Sequence, residues 1–229
     1  MPNLPDNPIF DITRFTTTDF PDRLACVVWF SGCNMRCPYC YNPNIVREKG
    51  TLCESDLFDF LRLRQGKLEG VVLSGGECTL YPHLHDLCET IKAMGFEIKL
   101  DTNGTKPARI RALVEEGLVD YVALDFKAPQ HLFKSLTGSA EYDAFHESLT
   151  YLIEADVSFE VRTTVHPDLL HVKDINAMIE ELHGLGYKGT YYLQHYLHVE
   201  PTLGKTAPPS KAFALESLIH PIPVRLRNF

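Results

Sequence analysis

The sequence predicts an α/β protein on a parallel sheet, and three observations predict it. Short apolar runs rich in branched residues recur along the chain, amphipathic stretches lie between them, and polar residues gather where the runs end. The runs are LACVVWF at 24–30, GVVLSG at 70–75, FEIKLDT at 96–102, VDYVALDF at 119–126, VSFEVRTTV at 157–165 and TYYLQHY at 190–196. Each is nearly continuous in apolar residues, as expected of a strand covered on both faces. The intervening segments at 84–94, 107–117, 142–155 and 172–186 repeat apolar residues at helical spacing, and Gly95, Gly117 and Gly186 stand where glycines stop helices. Strands alternating with helices imply βαβ crossovers and hence a parallel sheet. The polar clusters at 74–77, 101–104, 125–127 and 162–164 fall at strand ends, the edge where parallel α/β proteins bind ligands.

The chain has 229 residues, 45% hydrophobic and 23% charged, enough for one sizeable core and short for two. We expect a single domain over 1–229, with its core at about 20–200 and an irregular tail over 201–229. The segment PTLGKTAPPSKAF after Glu200 is the most loop-like, and the last twenty residues have no clear pattern. A formal charge of -8 without a Lys/Arg run argues against a nucleic-acid partner. No basic stretch leads into an apolar one near Met1, and no run approaches the roughly 18 apolar residues of a membrane span. A cytoplasmic protein with no membrane partner is expected. In that compartment seven cysteines point to metal or redox chemistry rather than to disulfides.

The strongest local signal is SGCNMRCPYCYN at 31–42, which sets Cys33, Cys37 and Cys40 in a CxxxCxxC spacing directly after the first predicted strand. Three thiolates within eight residues can grip one metal centre from a single loop. A structural zinc site takes four ligands, usually from two separated pairs, and no second pair matches. A four-iron cluster held by three cysteines leaves one iron open to a substrate or cofactor. A zinc knuckle completed by Cys26, Cys53 or a histidine, or a set of buried thiols, is the alternative.

CxxxCxxC with the aromatic Tyr39 before its last cysteine resembles the signature of the radical S-adenosylmethionine (SAM) superfamily. The resemblance implies a [4Fe-4S] cluster on Cys33, Cys37 and Cys40, with SAM chelated to the open iron through its amino and carboxylate groups. One electron then cleaves SAM to methionine and a 5′-deoxyadenosyl radical, with Tyr39 against the adenine. The SGGE segment at 74–77 resembles the GGE motif, which implies that Gly75, Gly76 and Glu77 hold the SAM ammonium. DTNG at 101–104 and LDFK at 124–127 resemble segments of glycyl-radical-enzyme activases. There Asp101, Thr102, Ala123 and Asp125 would hold a monovalent cation beside the SAM carboxylate, with Lys127 and Arg162 near cofactor and incoming peptide. A structural ion pair is the other reading of Lys127. No protein acid or base is implied.

The resemblance runs through most of the chain and is closest to the activating proteins of anaerobic ribonucleoside-triphosphate reductases. It implies a partial (β/α)6 barrel with outer helices, which agrees with the six strands counted from the pattern. It also implies an oxidoreductase that takes one electron from flavodoxin or ferredoxin and leaves a glycyl radical on a partner enzyme. The alternatives are a radical SAM enzyme acting on a small molecule and a non-catalytic iron–sulfur or zinc module. Where the family usually has Pro or Ala after GGE, this chain has Cys78, read as a small packing residue. Cys26, Cys53 and Cys88 are read as packing residues too, so no auxiliary cluster is expected.

Overall fold

A computed structural model describes residues 7–229. The six expected strands form as β2 Ala25–Phe30, β3 Gly70–Gly75, β4 Glu97–Thr102, β5 Tyr121–Asp125, β6 Ser158–Val165 and β7 Tyr191–His195. The four expected helices form as α3 Leu84–Ala93, α4 Pro107–Glu115, α6 Tyr142–Glu154 and α7 Val172–Gly184. Gly95, Gly117 and Gly186 follow α3, α4 and α7 with positive φ. Five further elements carry weaker patterns: β1 Ile9–Thr16, α1 Pro43–Arg47, α2 Glu54–Arg62, α5 Gln130–Thr137 and β8 Val224–Arg227. Sheet order follows chain order from β1 to β8, the strand order of the expected partial barrel. Among the described residues no helix is long and apolar enough to cross a membrane.

The chain divides into two compact units. The first comprises residues up to 34, 44–102 and 108–122. In it β1 pairs antiparallel with β2, while β2 with β3 and β3 with β4 pair parallel. Residues 25–28 of β2 and 70–73 of β3 are all buried, as a sheet covered on both faces requires. β1 is an edge strand with several exposed positions, and so carries too few apolar residues to announce itself. Phe20, Ala25, Val27 and Val72 pack one part of this core against Trp29 and Tyr121.

The second unit comprises residues 35–43, 103–107 and 123–229. Here β6 pairs parallel with β7, and β7 with β8. Phe126, Phe133, Tyr142 and Phe145 make an aromatic cluster under α5 and α6, with the Phe126 and Phe145 ring centres 4.7 Å apart. Ser148 of α6 donates to the Gly104 carbonyl at 2.6 Å, and Thr163 of β6 to the Phe126 carbonyl at 2.6 Å. These side-chain bonds fix loops that strand ladders leave unpaired.

Candidate active site

In the first unit the end of β2 runs into the cysteine loop beside the end of β3, with Phe30 in register with Gly75. The Gly76 N–H donates to the Phe30 carbonyl at 2.8 Å, and the Glu77 N–H to the Gly32 carbonyl at 2.9 Å. This contact explains the glycine pair. Gly75 has a φ of +118°, and a Cβ on Gly76 would lie 1.9 Å from the Gly32 oxygen. Only a bare backbone lets β3 reach the turn that presents Cys33.

Glu77 is 2% exposed. Its Oε1 accepts from the Thr79 N–H at 3.1 Å, the Thr79 hydroxyl at 2.5 Å and the Thr102 hydroxyl at 2.8 Å. Three neutral donors thus converge on one oxygen of this buried carboxylate and fix its orientation, a setting suited to receiving a cationic group. Asp101, at the end of β4, accepts from Ser74 at 3.2 Å and is paired with the Lys99 ammonium, whose side chain is 2% exposed. Lys99 is not among the residues that the sequence motifs single out. The signal was present, because residues two apart on a strand share a face, and KLD puts lysine and aspartate together.

Cys78 lies fully buried beneath these residues, its thiol set against the Leu73 and Asp101 carbonyls at 3.5 and 3.4 Å. Burial, with Glu77 and Asp101 nearby, raises its pKa well above the ordinary thiol value. Burial likewise pushes Cys26 and Cys88 up to about 12. Such thiols stay protonated and inert, in keeping with packing roles. Cys53 caps the start of α2 and donates to Asp56 at 2.9 Å.

In the second unit Cys37 and Tyr39 are buried, at 7% and 4% exposure, and the Cys40 N–H closes a turn on the Cys37 carbonyl at 3.1 Å. Burial raises the Cys37 and Tyr39 pKa values, and Lys127 opposes that rise at both. The positive charge of Lys127 therefore reaches the loop that carries two of the three cysteines. Lys127 and Arg162 clamp one carboxylate: Lys127 Nζ lies 2.9 Å from Asp125 Oδ2, and Arg162 Nε 2.6 Å from Oδ1. Burial alone would raise the Asp125 pKa, but Arg162 and Lys127 outweigh it and hold it well below the usual carboxylate range. Burial would lower that of Lys127, and Asp125 more than reverses this.

The sign of that shift sets a pH dependence. A depressed native pKa adds stability above the unfolded carboxylate value of about 3.9 and loses it as pH falls through the native value. Asp125→Asn is expected to lower stability at neutral pH by about 3 kcal/mol, since it removes the carboxylate charge that Lys127 and Arg162 share. It should also flatten the acid limb of the stability profile, read by thermal melts between about pH 2 and 5. An unchanged acid limb would show that the pair is not coupled to folding.

All seven cysteines are thiols. Three of them in one loop, with no protein sulfur spent on a disulfide, form a donor set suited to a cluster with three cysteine ligands. An α/β fold with such a loop after the first parallel strand and a bare Gly-Gly turn packed on it defines a cluster-bearing enzyme class. The sequence matches the Radical SAM superfamily over residues 27–190, and the chain belongs to that superfamily.

Over 174 residues it is 33% identical to a "Putative glycyl-radical enzyme activating enzyme" of Methanocaldococcus jannaschii, covering 72% of this chain and 70% of that one. It is 34% identical over 104 residues to a 7-carboxy-7-deazaguanine synthase of Neisseria meningitidis serogroup B, covering 45% and 44%. Among solved structures it resembles Streptococcus suis SuiB bound to S-adenosylmethionine, with a TM-score of 0.65 at 13% identity. That match covers 88% of this chain and 51% of the SuiB chain. The protein is thus a radical SAM enzyme, a superfamily whose chemistry rests on a [4Fe-4S] cluster and SAM.

Proposed function

We propose that this enzyme is a glycyl-radical-enzyme activase, acting in the cytoplasm on an anaerobic ribonucleoside-triphosphate reductase with flavodoxin or ferredoxin as electron donor. The observation that carries the reading is the similarity to a glycyl-radical enzyme activating enzyme over 72% of the chain. The DTNG and LDFK segments at the ends of β4 and β5 support it, and the choice of reductase rests on the sequence resemblance. When bound, the cluster and SAM supply a one-electron reductive cleavage that yields 5′-deoxyadenosine once hydrogen is taken from the target glycine.

The chain's own residues hold, orient and shield. Cys33, Cys37 and Cys40 ligate the cluster. Gly75 and Gly76 bring backbone close to the loop, and Glu77, braced by Thr79 and Thr102, holds the SAM ammonium. Tyr39 lines the adenine, while Asp101, Asp125, Lys127 and Arg162 set the charge around the SAM carboxylate. A monovalent cation near Asp101 and Asp125, beside the SAM carboxylate, belongs to the same proposal. Glu77→Gln should keep the fold but lose the ionic part of ammonium binding. The expected rise in the SAM Kd, measured by anaerobic calorimetry, is about 10–100-fold, the scale of a hydrogen bond to a charged group. An unchanged Kd would remove Glu77 from the site.

The reading is tested by incubating reduced enzyme, SAM and the reductase under argon and recording the electron paramagnetic resonance spectrum. A glycyl radical signal matched by 5′-deoxyadenosine supports activation. A second reading, a radical SAM enzyme acting on a small molecule, is favoured by the similarity to a 7-carboxy-7-deazaguanine synthase. It predicts 5′-deoxyadenosine coupled to a small-molecule product, with no radical on any glycyl-radical enzyme.

A further inference from the structure

The segment after β7, loop-like by composition, is fastened onto the cysteine loop. Residues 33–42 contain no helix or strand, so their backbone groups must find partners elsewhere. The Gly204 N–H donates to the Pro38 carbonyl at 2.8 Å and the Leu203 N–H to the Cys40 carbonyl at 3.0 Å. Two carbonyls, one of a cysteine in the triad and one between two of them, are thus taken by neighbouring residues of one short stretch. Contact here is very close, since a Cβ on Gly204 would stand 2.6 Å from Pro38 Cβ and 2.7 Å from Pro38 Cα.

The stretch is itself tied down. Thr202, 4% exposed, receives the Thr206 N–H on its hydroxyl at 2.8 Å. His166 Nε2 lies 3.0 Å from the Ala207 carbonyl, and Asp168 accepts from the Ser210 N–H and hydroxyl at 2.7 and 2.8 Å. At the other end, Tyr41 stacks on Tyr196 with ring centres 5.5 Å apart, and the Leu197 N–H donates to the Tyr41 hydroxyl at 2.8 Å. Residues 38, 40 and 41 of the loop are therefore each fixed by residues of 196–204, and residues 207 and 210 just beyond them by the loop after β6.

We propose that residues 202–207 are a clasp that holds the cysteine loop in ligating shape, and that Gly204 is the positioning residue that lets it close. This rests on the reading that Cys33, Cys37 and Cys40 bind the cluster. The clasp touches the carbonyls of Pro38 and Cys40 and leaves the sulfur atoms to the metal. Its effect is on how long the ligands stay in place, in the manner of outer groups that orient metal ligands.

The full chain is reconstituted anaerobically as wild type, Gly204→Ala, Thr202→Val and, as a control, Gly184→Ala, where a Cβ meets nothing within 4 Å. Folding is followed by circular dichroism, bound iron by bleaching under a chelator, and loop order in the iron-free chain by the rate at which iodoacetamide labels Cys37 and Cys40. Gly204→Ala is expected to lose iron about tenfold faster than wild type, with both cysteines labelled several-fold faster, in a chain that still folds with a lowered melting temperature. Thr202→Val should move the same way by less, and Gly184→Ala should match wild type. Wild-type bleaching and labelling in a folded Gly204→Ala chain would overturn the clasp, as would the same result in Thr202→Val if Gly204→Ala does not fold. A wild-type chain that takes up no iron would overturn the cluster reading, whereas the labelling rates would still report on the clasp.

Discussion

Replacing Cys37 with alanine is expected to abolish stable cluster binding and to reduce 5′-deoxyadenosine formation to background. A cluster on three cysteines has no spare protein ligand. The other thiols cannot step in: Cys26, Cys78 and Cys88 are fully buried with raised pKa values, and Cys53 is engaged with Asp56 at the start of α2. Cys88→Ala is the matching control, since that side chain packs on α3. It should retain iron and activity, at a stability loss on the order of 1 kcal/mol from the small cavity. Iron and sulfide content after anaerobic reconstitution, with product measured by chromatography, separates the two variants. Wild-type product from Cys37→Ala would end the case for the triad as the catalytic cluster site.

The second large effect is expected at Gly76. An alanine there would drive its Cβ to 1.9 Å from the Gly32 oxygen and 2.6 Å from the Gly32 carbon. Both are backbone atoms, so relief requires β3 and the cysteine loop to separate. The hydrogen bond from Glu77 to Gly32 would go with the contact. Overpacking of this kind destabilises by about 2–3 kcal/mol, roughly 5–10 °C in Tm for a chain of this size. Iron incorporation should fall further than stability alone explains, because Cys33 follows Gly32 directly. Gly95→Ala, at a helix end where a Cβ meets nothing, is strained by its φ of +89° alone and should leave iron content unchanged. A Gly76→Ala chain that reconstitutes fully would show that the GGE turn does not position the loop.

Two acidic positions at strand ends are each held in an ion pair. Asp101 and Asp125 stand at equivalent strand ends, and each faces a basic side chain two residues away in sequence, Lys99 and Lys127. In a strand or extended segment that spacing puts both groups on one side. Arg162 adds a second cation to Asp125 from β6, across 37 residues of sequence. That pairing is a product of strand adjacency, and no local pattern in the chain announces it.

By itself the sequence determined the parallel α/β class, because six nearly continuous apolar runs can be covered only by helices on both faces. It brought out the cysteine triad and the GGE, DTNG and LDFK segments, because these are short and contiguous, and the roles proposed for them rest on their resemblance to superfamily motifs. Tertiary structure decided what depends on pairing between distant residues. β1 and β8 are short or half-exposed edge strands, and edge positions tolerate polar residues that blur the period-two signal. Lys99 turned inward only because Asp101 neutralises its ammonium, which buried lysines require. Gly76 and Gly204 look alike in sequence to glycines facing open space, such as Gly184. What distinguishes them is a backbone or a proline ring within van der Waals range, brought there by the fold.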